Sequence, residues 1–302
     1  MIEFVDLFAG LGGLSLGAEH AGLRPVWASN HNQRVCDVYE RNHGLKPICQ
    51  CLRQADWTTL PRHDWGLMAP SCQGHTKARG KERPQHDIYR ATMWACIEYL
   101  EINRVPVAVL ENVPEILDWV LWPSFVHALR SLGYSIAPHV LDAADFGVPQ
   151  NRVRVLAAIT RSKAPLRLRF RRRGHVPARK MIDWTADNWT AVAAKGEATR
   201  ARIQQGRKKF GRLFLAPYYS SGSGTTGRSI DRPIGTISTH DRWLLVDGDR
   251  CRFLTVGEIR AFMGFPESFW LPDSATAAKH MLGNAVPPPM ARDFITALKE
   301  AA

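Results

Sequence analysis

The chain has 302 residues, of which 45% are apolar, and its 40 Lys and Arg against 28 Asp and Glu give a net charge of +12. Wholesale disorder is excluded, because a chain of this length and apolar content buries a sizeable core. No apolar run reaches the roughly 18 residues that span a bilayer, so no membrane partner is expected. An acid interrupts the first apolar stretch, MIEFVDLFAG, so a secretory signal is not predicted.

The six cysteines are too few and too scattered for a disulfide framework. This usage is typical of a reducing cytoplasm, which is where we expect the protein to act. Cys49 and Cys51 have His43 and His63 near them in the sequence. A C-x-C pair lacks the usual zinc spacing, however, so no metal site is expected.

The first 160 residues alternate between apolar strands and helices with one apolar face. Strands are predicted at residues 2–8, 25–28, 64–69, 105–110 and 153–159, and helices around residues 14–21, 32–42, 88–99 and 125–132. This alternation is typical of an α/β protein in which helices cover both faces of a parallel sheet. Beyond about residue 160 the alternation fails, and periodicity returns near residues 254–262, so a second, irregular region is expected.

A glycine turn follows the first predicted strand in FVDLFAGLGGLSLG. Gly10, Gly12 and Gly13 let the backbone bend tightly and approach a ligand at the start of the next helix. Ser15 stands where the dinucleotide fingerprint has its third glycine, which disfavours a nicotinamide cofactor. The position still favours a nucleoside-bearing ligand, although a purely structural turn has the same appearance.

Cys72 lies in a polar loop, MAPSCQGHTKARG, directly after a predicted strand. Most cysteines are small buried apolar residues, and this interpretation suits Cys36, Cys96 and Cys251. Cys72 differs because Lys77 and further basic residues follow it, and nearby positive charge favours the nucleophilic thiolate. Cys72 is therefore a candidate nucleophile.

Two further segments place charged side chains at strand ends. Glu111 and Asn112 end the apolar strand in VAVLEN, at the edge where open α/β sheets carry out chemistry. A strand-end acid that pairs with an arginine is an equal alternative. Arg152 and Arg154 lie two apart in QNRVR, so they share a strand face and one site could use both, or they are solvated edge charges.

The positive charge is concentrated in one segment. Residues 161–228 hold 17 Lys and Arg against 3 acids, whereas the rest of the chain is nearly neutral. The same segment contains aromatic residues, among them Trp184, Trp189 and Phe210. A basic stretch interleaved with aromatics is typical of contact with a phosphate backbone, so nucleic acid is preferred over a merely solvated face.

Taken in chain order, these segments resemble the motifs of the DNA (cytosine-5) methyltransferase family. DLFAGLGG resembles the donor-binding motif, PSCQ the Pro-Cys-Gln nucleophile motif, ENV the glutamate motif and QNRVR the Gln-x-Arg-x-Arg motif. RPIGTIST and RFLTVGEIRAFMGFP resemble the segments after the target-recognition region, and GNAVPP resembles the final motif. The match extends over about residues 3–296, and six motifs in the right order make chance implausible.

The resemblance implies methyl transfer from S-adenosylmethionine to carbon 5 of a flipped-out cytosine in a specific double-stranded DNA sequence. Cys72 would supply the thiolate that adds to carbon 6 and thereby activates carbon 5. A neutral Glu111, kept protonated by a dry site, would hydrogen-bond and protonate ring nitrogen 3. Arg152 and Arg154 would stabilise the developing charge or the thiolate.

The same resemblance implies two sets of binding residues. The donor is expected to contact Phe8, Ala9, Gly10, Gly12, Gly13, Asn30, Asp56, Pro70, Asn284 and Ala285. DNA is expected to contact Gln73, Lys77, Arg79, Gln150, Arg169, Arg171 and Arg228. The loop after Cys72 is a candidate lid that closes onto phosphates.

Four positions depart from the usual family pattern. Asn30 stands where the family usually has an acid for the donor ribose, so the hydrogen bond is kept and the charge is lost. Ser71 replaces the usual Pro directly before the cysteine. His75 and Thr76 replace the common Phe-Ser after the glutamine motif.

By resemblance, residues 1–163 and 272–302 form a Rossmann-like catalytic domain that uses S-adenosylmethionine, and residues 164–271 form a smaller, irregular target-recognition domain. A monomeric, nucleoid-associated prokaryotic enzyme is implied. Any cognate restriction endonuclease would act separately.

Three other functions were weighed against this one. A methyltransferase of the same fold that acts on tRNA needs the same Cys72 and Glu111, so only substrate testing separates the two. Intact Cys72, Glu111, Arg152 and Arg154 disfavour an inactive DNA-binding module. The glycine spacing disfavours a Rossmann oxidoreductase.

Overall fold

The computed structural model describes residues 1–75, 85–218 and 227–302, so Lys77 and Arg79 lie outside the described residues. The chain divides into two compact units. Unit 1 comprises residues 1–142, 153–171 and 286–302, and unit 2 comprises residues 143–152 and 172–285.

Unit 1 is built on a seven-stranded sheet. Its strands are β1 (Glu3–Asp6), β2 (Arg24–Asn30), β3 (Ile48–Cys49), β4 (Trp65–Met68), β5 (Val107–Asn112), β6 (Ser135–Asp142) and β7 (Val153–Thr160). They lie in the order β3-β2-β1-β4-β5-β7-β6. Neighbours from β3 to β5 are parallel, whereas β7 runs antiparallel to both β5 and β6. Every residue of β5 is buried, as expected for a central strand covered on both faces.

Four helices connect these strands: α1 (Gly13–His20), α2 (Gln33–His43), α3 (Gln85–Asn103) and α4 (Trp122–Ser131). Local sequence sets the ends of α2. The Asn32 side chain accepts a hydrogen bond from the Arg34 N–H at the start, and Gly44 ends the helix in the left-handed conformation. The apolar faces of α3 and α4 pack with β5 and β7 in the main core of unit 1.

Unit 2 contains a four-stranded antiparallel sheet and three helices. The strands are β8 (Thr190–Ala191), β9 (Leu213–Pro217), β10 (Trp243–Asp247) and β11 (Arg250–Phe253), in the order β8-β11-β10-β9. The helices are α5 (Glu197–Phe210), α6 (Val256–Phe262) and α7 (Ala275–Asn284). The chain then returns to unit 1 with α8 (Pro288–Ala301).

The predicted strands and helices of the first 160 residues are confirmed, and so is the helix near residues 254–262. Strands β3 and β6 and helices α7 and α8 were not predicted, and two further features differ from the prediction. The sheet is mixed rather than parallel, because β6 and β7 form an antiparallel pair at its edge. The sheet of unit 2 and α5 were not predicted, because short strands separated by long polar segments leave no sustained period.

No helix within the described residues is long and apolar enough to cross a membrane. In the same ranges, no group of three or more potential ligands from His, Cys, Asp and Glu lies close enough together to hold a metal ion.

Candidate active site

Three neighbouring parallel strands of unit 1 end at one sheet edge, and a predicted functional segment follows each of them. β1 pairs with β4, and β4 pairs with β5 up to Met68 and Leu110. The glycine turn follows β1, the Cys72 loop follows β4, and Glu111 lies at the end of β5. Because parallel strands point their carboxyl ends the same way, this edge brings the three segments next to one another.

The glycine turn is held by main-chain hydrogen bonds from Ala9 N–H to the Ser29 carbonyl, 3.0 Å, and from Gly12 N–H to the Ala9 carbonyl, 2.8 Å. Gly10 and Gly12 have φ angles of 54° and 91°, which side chains rarely allow. Gly12 also lacks room for a side chain, because a Cβ atom would lie 2.0 Å from His43 Nε2. Bare backbone therefore faces any ligand at the start of α1.

A buried polar network lies behind this turn. Ser15 Oγ donates to Asp6 Oδ2 at 2.6 Å and lies 2.8 Å from Tyr39 Oη. Burial raises the pKa of Asp6 to about 7, although the Ser15 hydrogen bond, the nearby His43 and the Phe8 N–H lower it. The network fixes the turn to the helices that follow β1 and β2.

Asn30 and Asp56, two of the residues predicted to contact the methyl donor, lie at a strand end and in a loop of unit 1. Asn30 ends β2, and its Oδ1 accepts a hydrogen bond from Asn32 N–H at 3.1 Å. Asp56 Oδ1 accepts from the Thr58 N–H at 3.0 Å and from Thr58 Oγ1 at 2.6 Å. These bonds lower the pKa of Asp56, so an exposed carboxylate is available to a donor hydroxyl or amino group.

The loop that carries Cys72 is tied to the end of β5. Asn112 Nδ2 donates to the Pro70 carbonyl at 3.1 Å, and His75 N–H donates to the Cys72 carbonyl at 2.9 Å. Cys72 is partly exposed, unlike the sealed thiols of Cys36 and Cys96. A thiol must be reachable to act as a nucleophile, and Cys72 meets this condition.

Glu111 and Arg154 form an ion pair inside the same region. Arg154 Nε lies 3.3 Å from Glu111 Oε1, and the two side chains are only 13% and 12% exposed. The pairing of Glu111 with Leu156 across β5 and β7 places Arg154, two residues along, on the same face. Sequence alone left this pairing as one of two alternatives.

Arg152 has different partners from Arg154. Its Nη1 donates to the Ile237 carbonyl, and its Nη2 donates to the carbonyls of Gly283 and Ala285, each at 2.9 Å. The side chain is 2% exposed. Two of these carbonyls flank Asn284, a predicted donor contact that belongs, like Arg152, to unit 2.

The predicted DNA contacts fall in different surroundings. Gln73 is exposed. Gln150 is fully buried, and its amide donates to the Phe262 carbonyl at 3.2 Å and accepts from Ile237 N–H at 2.8 Å. The contacts of Gln150 therefore belong to the interior of unit 2.

An extended basic row follows β7. Partly buried and exposed side chains alternate along this segment. The partly buried ones are Leu166, Leu168 and Phe170, and the exposed ones are Arg167, Arg169 and Arg171. Phe170 anchors the segment to unit 1, since its ring lies 5.7 Å from that of Phe294 and 5.2 Å from that of His139. Alternation with period two spaces the arginines about 6.6 Å apart along one side.

Unit 2 has a second basic feature, an open cavity of about 790 Å³. Its lining includes the cationic side chains of Lys209, Arg228 and Arg232, together with His175. Arg228 Nη1 is fixed by the Asn151 Oδ1 atom at 2.5 Å and the Pro233 carbonyl at 3.0 Å. Asp231 also lines the cavity, but it forms an ion pair with Arg179.

Sequence reasoning missed several residues that hold the site. Asp6 has a recognisable signal, because it is an acid inside an apolar strand. His43, Arg90 and Thr92 carry no recognisable signal in the sequence, because the role of each depends on which loop its helix packs against.

The sheet order and the three segments at one edge define a Rossmann-like methyltransferase fold. The family profile for C-5 cytosine-specific DNA methylase matches residues 2–300. The type II methyltransferase M.NlaX of Neisseria lactamica is 28% identical over 311 residues, covering 100% of this chain and 97% of that protein. M.MspI of Moraxella sp is 27% identical over 300 residues, covering 95% of this chain and 68% of that protein.

Solved structures share the fold. A putative DNA modification methyltransferase encoded within a prophage of E. coli has a TM-score of 0.74 at 18% identity, covering 100% of this chain and 99% of the other. A DNMT2 mutant from Spodoptera frugiperda has a TM-score of 0.72 at 18% identity, covering 99% and 100%.

The chain belongs to the C-5 cytosine-specific DNA methylase family. It is therefore an S-adenosylmethionine-dependent enzyme that methylates cytosine in DNA.

The clash at Gly12 can be separated from its backbone strain. Gly44 also has a positive φ, 65°, but a Cβ atom there meets nothing within 4 Å. We expect Gly44→Ala to cost about 1–2 kcal/mol of unfolding free energy and to leave donor affinity unchanged. Gly12→Ala should cost about 1–3 kcal/mol more and weaken S-adenosylmethionine binding at least about tenfold. Urea denaturation measures the unfolding free energy, and calorimetric titration measures the affinity for S-adenosylmethionine. Equal changes in these two quantities for Gly12→Ala and Gly44→Ala would contradict the His43 contact.

The buried Asp6 predicts a pH-dependent stability. Because its pKa in the folded protein is about 7, against an ordinary value of 3.8, the folded state holds a proton that the unfolded state releases between these values. Stability from this group is fully present below about pH 4 and is lost as the pH rises through about 7. The Asp6→Asn side chain cannot ionise. From pH 5 to pH 8 the free energy of unfolding of the wild type should therefore fall by a few kcal/mol relative to that of Asp6→Asn. Parallel pH profiles in urea denaturation would contradict this assignment.

Proposed function

We propose that the protein transfers a methyl group to carbon 5 of a flipped-out cytosine in a specific double-stranded DNA sequence, through a covalent bond between Cys72 and carbon 6. The observation that carries the proposal is the partly exposed Cys72 in a loop tied by Asn112 to the strand end that holds Glu111. A nucleophile and an acid at one sheet edge suit addition to a ring that is itself unreactive.

The addition step needs a thiolate and a proton donor. The Cys72 thiolate forms a bond to carbon 6, and the ring electrons move toward nitrogen 3, where a protonated Glu111 donates its proton. Carbon 5 then carries the electron density for attack on a methyl group. The bond between the methyl group and the donor sulfur breaks as carbon 5 takes the methyl group, which leaves a neutral thioether. A base then removes the proton from carbon 5, the bond between Cys72 and carbon 6 breaks, and nitrogen 3 returns its proton to Glu111, which restores the thiolate and the neutral aromatic ring.

Arg154 sets the electrostatics of Glu111. At 3.3 Å it favours the carboxylate over the acid in the absence of DNA. In our proposal, the carbonyl oxygen on carbon 2 of an entering cytosine accepts a hydrogen bond from the Arg154 guanidinium, which frees Glu111 to hold a proton toward nitrogen 3. The low exposure of both groups strengthens each of these interactions.

The residues at the donor positions fit S-adenosylmethionine. The left-handed turn at Gly10 and Gly12 leaves bare backbone at the start of α1, where a nucleoside-bearing ligand can approach closely. Asn30 and Asp56 offer an amide and a carboxylate to the ribose and adenine, and Phe8 offers an apolar surface. When bound, S-adenosylmethionine supplies the activated methyl group.

Within unit 2, Arg152 is proposed to position the predicted donor contact Asn284. Its hydrogen bonds to the carbonyls on either side of Asn284 fix the backbone of that residue. The contacts favour a positioning role over the direct stabilisation of the substrate that the family resemblance suggests. Buried Gln150, with its amide committed to main-chain groups, fits a similar role.

DNA binding is assigned to the two basic features and to Gln73. The outward row of Arg167, Arg169 and Arg171 presents regularly spaced charges to a phosphate backbone. Arg228 is held by Asn151 and Pro233 in a cavity with a surplus of positive charge, so it is pre-organised for a DNA contact. Lys77 and Arg79 are assigned to DNA on the sequence alone.

We further propose that residues 1–163 and 272–302 act as the catalytic domain and residues 164–271 as the target-recognition domain. The enzyme is proposed to act as a monomer in the cytoplasm, at the nucleoid, and without a permanent complex with an endonuclease.

Removal of the thiol tests the proposal directly. We expect Cys72→Ala to lose methyl transfer to DNA from tritiated S-adenosylmethionine entirely, while DNA affinity in a filter-binding assay stays within about threefold. Cys51→Ala, which removes another exposed thiol, is the matched control and should keep full activity. An active Cys72→Ala variant would end the proposal.

The arginine row predicts a steep salt dependence. Each phosphate contact contributes about 0.9 to the slope of log affinity against log salt concentration, so replacement of Arg167, Arg169 and Arg171 by Gln should lower the slope by about 2–3. Arg24, Arg62 and Arg130 are exposed arginines outside the row, and their replacement by Gln should leave the slope unchanged. Equal slopes for the two triple variants in fluorescence anisotropy would move the DNA contact elsewhere.

A further inference from the structure

The residue before Cys72 carries a hydrogen-bond donor that the usual family residue lacks. Ser71 stands where proline is common, and proline has no backbone N–H and a fixed φ. In this structure the Ser71 N–H donates to Thr92 Oγ1 of α3 at 3.2 Å. The serine therefore adds both backbone freedom and a partner that restrains it.

The Thr92 hydroxyl is oriented for this contact. It donates its own proton to the Tyr89 carbonyl at 2.6 Å, one turn earlier in α3. A hydroxyl has one proton and two lone pairs, so donation to Tyr89 leaves a lone pair to accept from Ser71. The acceptor is thus fixed by the helix and not by a rotating side chain.

We propose that Thr92 is a positioning residue for Cys72, which replaces by a hydrogen bond the rigidity that proline supplies elsewhere. This inference rests on the proposed role of Cys72 as the nucleophile. The Thr92–Ser71 contact acts on the peptide unit directly before the nucleophile, where a small change in φ moves the thiol. Misplacement of a reacting group by about 1 Å costs up to about a hundredfold in rate.

The same helix holds the loop on the other side of Cys72. Arg90 Nη1 donates to the Gly74 carbonyl at 2.9 Å. Gly74 packs so closely on α3 that a Cβ atom would lie 2.6 Å from the His86 carbonyl oxygen. Contacts from Thr92 and Arg90 therefore bracket the nucleophile, and Asn112 fixes Pro70 from β5.

A double-mutant cycle tests the proposal. Thr92→Val keeps the shape of the side chain and removes the acceptor, and Ser71→Pro removes the donor and restores the fixed φ. We expect Thr92→Val to lower the single-turnover rate of methyl transfer about tenfold, with the Kd for S-adenosylmethionine unchanged. Ser71→Pro should keep the wild-type rate within about twofold, and the double variant should match Ser71→Pro within about twofold. Thr92→Ser, which keeps the hydroxyl, should restore the rate.

Ser71→Ala is the matched control, because it removes the serine hydroxyl and keeps the N–H; Thr92→Val should still cost about tenfold in that background. Rates are measured per active site from the burst of product, so a partly unfolded preparation does not imitate a loss of positioning. If Thr92→Val does not fold, Thr92→Ala takes its place in the same cycle.

The proposal would be overturned if Ser71→Pro and Thr92→Val each lowered the rate of methyl transfer and the two losses multiplied in the double variant. A wild-type rate in Thr92→Val would also overturn it. Failure of the proposed function looks different: Cys72→Ala would then keep its activity in the same assay, whatever the Thr92 variants do.

Discussion

The alignment of three parallel strands at one edge is the constraint on which the rest of this structure depends. β1, β4 and β5 are neighbours, so the glycine turn, the Cys72 loop and Glu111 meet without any long-range folding of loops. The strands themselves are short and buried, and the polar groups begin where they end. Chemistry at this edge therefore rests on the most rigid part of unit 1.

Several buried polar side chains in each unit form hydrogen bonds to main-chain atoms. In unit 1, Asn112 binds the Pro70 carbonyl, and in unit 2, Arg152 binds three carbonyls. Such contacts use the side chain to fix a backbone segment. The Glu111–Arg154 ion pair and the Asp6–Ser15 hydrogen bond differ, because they join one side chain to another.

Five strands of unit 1 and helices α1 to α4 were predictable, because each carries an apolar run or an apolar face, whereas β3, β6 and α8 were not predicted. The motif around Cys72 and the pair Glu111–Asn112 were also predictable as strand-end residues. The separation of Arg152 from Arg154 was not, because two residues on one strand face look equivalent until the partners of each are known. Thr92 has no sequence signal, since a threonine in a helix is ordinary until a loop amide is placed against it. The sheet of unit 2 was missed for a related reason: β9 pairs with β10, and β8 with β11, across more than 20 residues, and β8 is only two residues long.

The central claim is a covalent bond from Cys72 to carbon 6 of cytosine, and peptide mass spectrometry on a trapped complex tests it most directly. A DNA duplex with 5-fluorocytosine in the target site cannot release the enzyme after methyl transfer, because no proton is available for removal from carbon 5. The account predicts that proteolysis yields one peptide that contains Cys72 and carries the methylated fluorocytosine nucleotide. An active enzyme that gives no adduct, or an adduct on any other residue, would contradict it.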